Sequence, residues 1–172
     1  MLYAMDPGIV VADGPLVIDW LADQTPDTWH AVATTWNYGY GSEPLRWILS
    51  QDACDKGTAA HVFLVEGTSH WLWDLRVNPS LFGDETHLCR FVLDRWDEYE
   101  TGVLKPTVPV SDSADRKIAK MVQEPPFKDT PLSEIAAYQG SRQAISDFTS
   151  MDGKIVLSME RWRKDKGGPH AG

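Results

Sequence analysis

The chain has 172 residues and a mass of 19.3 kDa, a length suited to one domain or one domain with a short extension. Its 16 Lys and Arg residues against 25 Asp and Glu residues give a net charge of −9, which argues against a nucleic-acid-binding protein and against docking on an anionic membrane. No secretory signal and no membrane-spanning apolar run is visible in the sequence, so we expect a cytoplasmic protein. Cys54 and Cys89 fit neither a disulfide framework nor a zinc-finger spacing, which predicts two buried, reduced thiols.

The predicted helices begin at recognisable capping signals. A hydroxyl, a proline and an acid at residues 25–27 precede apolar residues spaced i, i+3, i+4 and i+7, the pattern of one buried helix face. A shorter helix follows Ser42, and a third is capped by Asp55. The longest helix is predicted to be capped by Asp84 and to end at Gly102. These signals predict a mainly α-helical fold.

The helix starts recur at a nearly constant interval. Asp27, Asp55 and Asp84 are 28 and 29 residues apart, and a short apolar segment that contains tryptophan precedes each of them. The predicted unit is a helical hairpin, in which a short tryptophan-bearing helix is followed by an Asp-capped helix. Three such units are predicted to stack as an α-α superhelix, with most of the eight tryptophans in the core.

The composition changes near Lys105, where two prolines interrupt regular structure. Residues 1–104 carry a net charge of −11, whereas the remainder carries +2. We therefore expect a helical-repeat domain over residues 1–104, a C-terminal helical extension packed on it over residues 105–164, and a disordered tail over residues 165–172. A linker is expected to start at Lys105.

Within the extension, helices are predicted to start near residues 111–113, at Thr130 and at Ser141. Asp152-Gly153 is a hairpin-turn signal, so the residues around it fit either a small β-hairpin or a further helix. A basic patch is possible on the residues that follow, namely Arg161, Arg163, Lys164 and Lys166.

The most distinctive segment begins at Trp47-Ile48 and continues, after a short gap, as Cys-Asp-Lys-Gly-Thr-Ala at residues 54–59. It resembles the signature of a family of small bacterial proteins described only as a domain of unknown function. The resemblance covers about residues 29–104, with Ala60 where relatives usually have Leu. It implies no reaction and no catalytic residue, and some relatives look like immunity proteins encoded near bacterial toxins.

Each residue of this motif also has a structural interpretation. Asp55 can cap a helix by accepting a hydrogen bond from the amide of Gly57 or Thr58. Gly57 allows another backbone to approach closely, and Ala59 lets a neighbouring helix pack closely. Cys54 is interpreted as a small apolar plug.

The sequence contains none of the common nucleotide-binding or hydrolase motifs. His30, His61 and His87 could form a metal site with Asp74, but no close pair of ligands is present, so we expect no metal and no cofactor. An enzymatic alternative uses Cys54 as a nucleophile activated at a helix N-terminus, with His61 or His87 as its base. We favour the interpretation that these histidines are hydrogen-bonded residues of helices.

Two features indicate a protein partner. An acidic cluster lies late in a predicted helix, where acids oppose the helix dipole, so a cationic partner is expected there. Aromatic residues of a Gly-rich loop are either binding residues or a seal on the hairpin. The prediction is a protein-binding module, most specifically an immunity-type inhibitor of a basic toxin, with a scaffolding protein as another alternative; the oligomeric state is left open. The predicted partner-binding residues are Trp36, Tyr38, Tyr40, Asp94, Asp97, Glu98 and Glu100.

Overall fold

The computed structural model describes residues 14–36, 41–66, 71–99, 104–106, 120–123 and 125–144, and this part of the chain is mainly helical, as predicted. None of the helices in these ranges is both long enough and apolar enough to cross a membrane. A 3₁₀ helix, Pro79–Gly83, lies between the fifth and sixth α-helices. The α-helices are α1 (Gly14–Ala22), α2 (Pro26–Thr35), α3 (Glu43–Ser50), α4 (Lys56–Glu66), α5 (Leu72–Val77), α6 (Leu88–Arg95) and α7 (Leu132–Ala137).

The first two helices form a hairpin that is closed by a buried indole. Thr25 caps α2 as predicted, accepting a hydrogen bond from the Thr28 amide at 3.3 Å, and proline occupies the first turn. The Trp29 Nε1–H then donates to the Leu21 carbonyl of α1 at 2.8 Å. The predicted apolar stripe of α2 is buried along its length. This hairpin brings the first turn of α2 against the rest of the molecule.

Helix α4 is the centre of the core. Residues 57–64 of this helix are all buried, so it is covered on every side, by α2, α3, α6 and α7. The small residues Ala59 and Ala60 are fully buried, where short side chains let neighbouring helices come close. The motif that the sequence singles out therefore lies at the start of the most buried helix described.

The three aspartates of the predicted repeat do not occupy equivalent positions. Asp27 lies inside α2, and Asp55 directly precedes α4. The prediction that Asp84 caps the next helix is wrong, because its carboxylate instead accepts bonds from the Thr86 amide and hydroxyl at 2.9 and 2.6 Å. His87 caps α6, its Nδ1 accepting from the Cys89 amide at 3.2 Å. The superhelical stacking stays a prediction.

Helix α6 is also shorter than predicted. It ends at Arg95, and Tyr99 lies in the turn beyond it, so α4, with 11 residues, is the longest helix in the described part. Trp96 and Tyr99 are nevertheless buried, as their place on the predicted apolar face requires. Five of the eight tryptophans are buried, as predicted for most of them, whereas Trp73 on α5 is 59% exposed.

Leu104, the last residue before the expected linker, is 1% exposed. The C-terminal part that follows departs from the prediction in two places. The helix expected from Thr130 starts at Leu132, because the Thr130 hydroxyl donates to the Phe127 carbonyl instead of capping the helix. Residues 141–144 are not helical, so the helix expected to start at Ser141 does not form there.

Helix α7 nevertheless packs on α4, and its Leu132 and Ile135 are fully buried. Most of the helix predicted after residues 111–113 lies outside the described residues. The turn at Asp152-Gly153, the four basic residues of 161–166 and the tail over 165–172 also lie outside them. The domain boundaries stay predictions.

Candidate functional site

The polar centre of the molecule is built on the first turn of α4. The Asp55 carboxylate accepts a hydrogen bond from the Gly57 amide at 2.7 Å, which satisfies one of the unpaired donors of the helix N-terminus. The same oxygen accepts a longer bond, at 3.4 Å, from the Leu104 amide. Asp55 therefore links the motif to a segment 49 residues further along the chain.

We call residues 104–106 and 140–142 together the strap. Its two halves are joined by a parallel bridge between Leu104 and Arg142, in which the Lys105 amide donates to the Arg142 carbonyl at 2.9 Å. The strap crosses the starts of α2 and α4, and it is attached to them mainly through backbone atoms of its first half.

Two glycines make room for the Leu104 carbonyl. A Cβ atom on Gly57 would overlap that carbonyl oxygen, and so would a Cβ atom on Gly140. Gly140 also has a φ of +62°, a conformation that favours glycine. The close backbone approach expected at Gly57 is thus made by the strap.

His30 fastens the strap to both helices. Its Nε2 donates to the Lys105 carbonyl at 3.1 Å, so its Nδ1 accepts from the Thr58 hydroxyl at 2.9 Å in the neutral ring. Burial lowers the pKa of His30 despite the bond to Lys105 and the nearby acids. His30 is thus a hydrogen-bonded helix histidine, as the sequence analysis favoured.

A second imidazole lies beside the first. The ring centroids of His30 and His61 are 6.2 Å apart, and His61 is 3% exposed. Burial, with a smaller contribution from the neighbouring His30, lowers the pKa of His61 from its ordinary 6.5 to about 4. Both imidazoles are therefore neutral at neutral pH.

An ion pair closes the strap from its other half. Arg142 donates from two guanidinium nitrogens to the two carboxylate oxygens of Asp27, at 2.6 and 2.8 Å. This bidentate geometry is the stronger form of such a pair. Asp27, predicted as a simple first-turn acid, therefore also holds the second half of the strap.

Cys54 does not have the surroundings of a nucleophile. It is 1% exposed, and burial raises its pKa from 9.0 to about 12, with the Asp55 carboxylate adding to the shift. The thiol donates a weak hydrogen bond to the Asp55 carbonyl, with the sulfur 3.8 Å from the oxygen. In the described ranges, no three His, Cys, Asp or Glu side chains gather as metal ligands.

Tyr99 lies in the same buried region as Cys54. Its hydroxyl is fully buried and has no hydrogen-bond partner among the residues that the structure describes. Burial raises the pKa of Tyr99, and the proximity of Cys54 raises it further. The Cys54 thiol and the Tyr99 phenol are therefore both uncharged, as expected for buried core residues and unlike an activated nucleophile or base.

The predicted acidic cluster is exposed but partly neutralised by the chain's own arginines. Asp94 pairs with Arg90 at 2.7 Å, and Glu98 pairs with Arg95 at 2.8 Å. Asp97 is exposed and forms no ion pair with the described residues. Glu100 lies outside the described residues.

Of the three predicted aromatic anchors, the structure places one. Trp36 is 8% exposed, and its Nε1–H donates to the Gly41 carbonyl at 2.8 Å, which closes the loop after α2. This geometry matches the seal that the sequence analysis left open as the alternative. Tyr38 and Tyr40 lie outside the described residues. Trp47, in the motif, packs edge-on against Trp29 with ring centroids 5.6 Å apart.

His87 lies in an aromatic cluster around Trp71. Its ring stacks on Trp71 with centroids 5.3 Å apart, and its Nε2 lies 3.8 Å from the Glu66 carboxylate. Burial lowers the pKa of His87 although Glu66 raises it. The Trp71 Nε1–H is buried with no hydrogen-bond partner among the described residues.

Sequence reasoning missed the strap because its contacts join distant parts of the chain. Asp27 and Arg142 are 115 residues apart, and His30 and Lys105 are 75 apart. The one local signal was Gly57, a glycine in the first turn of an otherwise strongly apolar helix.

Residues 24–73 match the model of a family described as a domain of unknown function, DUF4274. The match spans α2, α3 and α4, including His30, Asp55, Gly57 and Thr58, and the strap lies outside it. No curated protein and no solved structure matches the chain.

Proposed function

We propose that this protein acts by binding another protein through the acidic surface at the end of α6. In its most specific form it is a cytoplasmic, immunity-type inhibitor that covers the basic surface of a bacterial toxin. The observation that carries the proposal is the exposure of Asp94, Asp97 and Glu98 on one turn, with Asp97 unpaired among the described residues. The excess of acids in residues 1–104, a net charge of −11, supports a basic partner.

The pairing of Asp94 and Glu98 with arginines shapes the expected contact. Exposed ion pairs of this kind contribute little to stability, about 0–1 kcal/mol, so a partner's Lys or Arg can exchange with them at low cost. The contact is therefore centred on Asp97, with the two paired acids available on either side. Trp36 is not placed at the contact, since its indole closes the loop.

The test starts from the gene neighbourhood. The product of the adjacent reading frame is expressed with and without this chain, and growth is measured. The proposal expects growth arrest by that product alone, rescue by the wild-type chain, and co-elution of the two purified proteins. A product that neither arrests growth nor co-elutes with the chain would overturn the proposal.

Two double variants with the same change in net charge distinguish a specific contact at Asp97 and Glu98 from a general effect of the chain's charge. Asp97→Lys with Glu98→Lys should lose the rescue. Asp19→Lys with Asp52→Lys changes the net charge equally at exposed acids of other segments, and it should keep the rescue.

A scaffolding protein is the second candidate, and one observation favours it. Trp73 and Val77, 59% and 76% exposed, are four residues apart and so lie on one face of α5. If this face joins two copies, sedimentation of the wild type at tens of micromolar should show a dimer, and Trp73→Ser should be monomeric. A monomeric wild type would remove this candidate.

A further inference from the structure

His87 caps α6 with a ring nitrogen that must carry no proton. Its Nδ1 lies 3.2 Å from the Cys89 amide nitrogen, and a backbone N–H can only donate a hydrogen bond. Nδ1 is therefore the acceptor, and the single proton of the neutral imidazole is on Nε2. The cap satisfies one of the amides that a helix N-terminus leaves unpaired. It exists only in the neutral form of the ring.

A second proton on this ring removes the cap. The proton binds at Nδ1, so the N–H groups of His87 and Cys89 then face each other and no acceptor remains between them. The imidazolium also places a positive charge at the N-terminus of a helix, where the helix dipole opposes it. Protonation of His87 therefore breaks a bond at the start of α6 that a cap such as Ser or Asn would keep at any pH.

Other groups around the ring stabilise its protonated form. Nε2 lies 3.8 Å from the Glu66 carboxylate at the end of α4, and Asp74 and Asp84 add negative charge from α5 and from the turn before α6. The ring also stacks on Trp71, and the face of an indole attracts a cation. Burial outweighs the three acids and keeps the pKa of His87 below its ordinary 6.5, so the neutral, capping form prevails at pH 7.

The turn before α6 is held by bonds that do not involve the cap. Arg46 of α3 donates to the Thr86 carbonyl at 3.0 Å, and the Asp84 carboxylate accepts from the amide and hydroxyl of Thr86. Arg90 of α6 donates to a carbonyl of the 3₁₀ helix at 3.3 Å. The His87 side chain is 25% exposed, so a proton reaches the ring from solvent without any opening of the core. Loss of the cap is therefore confined to the first turn of α6.

We propose that His87 is an acid-operated cap of α6: protonation at Nδ1 breaks the bond from the Cys89 amide and leaves the first turn uncapped, while the imidazolium pairs with the Glu66 carboxylate. A hydrogen bond to the helix is thus exchanged for an ion pair with α4, and the buried faces of both helices stay packed. The start of α6 is therefore sensitive to acid in a chain that remains folded. This switch does not depend on the proposed acidic contact at the other end of α6.

The test follows the ring and the capped amide of the full-length protein by NMR between pH 7.5 and pH 5. The chemical shift of the His87 Nδ1 nitrogen shows whether that atom carries a proton. Hydrogen exchange, corrected for its intrinsic pH dependence, gives the protection of the Cys89 amide relative to that of Val92, which lies further along the same helix. The acid-operated cap predicts an unprotonated Nδ1 at pH 7.5. It also predicts that the Cys89-to-Val92 protection ratio falls about fivefold or more as the ring titrates, because an N-cap bond is lost.

Three variants connect the effect to the ring and to its carboxylate partner. His87→Asn keeps an acceptor for the Cys89 amide but is not protonated in this range, so the ratio should change by less than about twofold. Glu66→Gln keeps the cap and removes the nearest acid, so it should lower the midpoint of the fall by about half a pH unit. Glu43→Gln, at an exposed acid of α3, is its matched control and should leave the midpoint unchanged.

Three results would overturn the acid-operated cap. They are a proton on Nδ1 at pH 7.5, a wild-type ratio that stays constant while His87 titrates, and an equal fall of the ratio in His87→Asn. A constant ratio includes the case in which Cys89 and Val92 lose protection together by general unfolding. If His87→Asn does not fold, the comparison of Glu66→Gln with Glu43→Gln decides, and equal midpoints in these two variants would contradict the exchange of the cap for the ion pair.

Discussion

Gly57 is the residue at which the motif and the strap meet. A methyl group there would overlap the Leu104 carbonyl, a backbone atom that cannot move aside as a flexible side chain can. We predict that Gly57→Ala lowers the free energy of unfolding by about 1–3 kcal/mol, the usual cost of overpacking. Urea denaturation followed by circular dichroism measures it.

Gly83 is the matched control for this substitution. A Cβ atom on Gly83 meets no atom within 4 Å, so Gly83→Ala should change the free energy of unfolding by less than about 0.5 kcal/mol. Equal effects of the two alanines would show that the strap does not lie against α4 as described.

Tyr99 is a residue at which a substitution is expected to maintain or raise the stability. Its buried hydroxyl has no partner among the described residues, so its removal relieves a desolvation cost and breaks no hydrogen bond. Tyr99→Phe should therefore leave the free energy of unfolding unchanged or raise it by about 1 kcal/mol. Tyr99→Leu, which removes part of the packed ring, should lower it. A clear loss of stability in Tyr99→Phe would reveal a hydrogen bond to the hydroxyl.

The residues that sequence reasoning placed correctly are those whose role is local. Thr25 and Asp55 cap their helices as predicted, because a cap depends on the two or three residues that follow it. His30 and Arg142 bond across the chain, and no spacing in the sequence encodes such a pair. These contacts could not be predicted because the partners are far apart in the sequence, although the side chains themselves are ordinary hydrogen-bonding groups.

At the scale of the helices, the start of α6 was predicted incorrectly because an aspartate was taken as its N-cap. The repeat interval predicted that Asp84 caps this helix. Its carboxylate instead accepts hydrogen bonds from the amide and the hydroxyl of Thr86, which forms a turn before the helix starts. The next acceptor along the chain, His87, then became the cap. Helix existence followed from apolar periodicity, whereas the helix start depended on this local competition.

Two alanine substitutions distinguish these cap assignments. His87→Ala removes the cap of α6 and the stacking on Trp71, so we expect it to lower the free energy of unfolding by about 1–2 kcal/mol. Asp84→Ala removes only the two exposed hydrogen bonds from Thr86, so it should lower the free energy of unfolding by less. Thermal unfolding of both variants at pH 7 provides the comparison, and a larger loss in Asp84→Ala would restore the original assignment.

For the whole molecule, the buried histidines set the response to acid. The pKa values of His30, His61 and His87 are all lowered by burial in the folded state. The unfolded chain therefore binds more protons below about pH 6.5, and stability is lost as the pH falls from there toward 4. His61 alone, with a pKa of about 4, should account for about 2 kcal/mol between pH 7 and pH 5.

Urea denaturation at four pH values checks this dependence. The wild-type free energy of unfolding should fall steadily between pH 7 and pH 5, and His61→Gln should show a shallower slope. A flat wild-type profile over this window would mean that the histidines are protonated equally easily in the folded and unfolded chains.

The net charge of the whole chain leads us to expect a basic partner, but it does not say which acids such a partner would contact. Composition located the negative charge in residues 1–104, and the structure then showed that Arg90 and Arg95 neutralise two of the acids on α6 and the turn after it. Such pairs depend on side-chain geometry on the helix surface, which a charge count does not contain. Asp97, which forms no ion pair with the described residues, is therefore the central acid of the proposed contact.

The salt dependence of partner binding is therefore the decisive measurement. The affinity of the adjacent gene's product is measured by calorimetry at 50 and 300 mM salt for the wild type, for Asp97→Lys with Glu98→Lys, and for Asp19→Lys with Asp52→Lys. Wild-type binding should weaken about tenfold or more with salt, and the first variant should bind at least tenfold more weakly at 50 mM and respond less to salt. The proposed contact would be refuted if the two double variants bound with the same affinity.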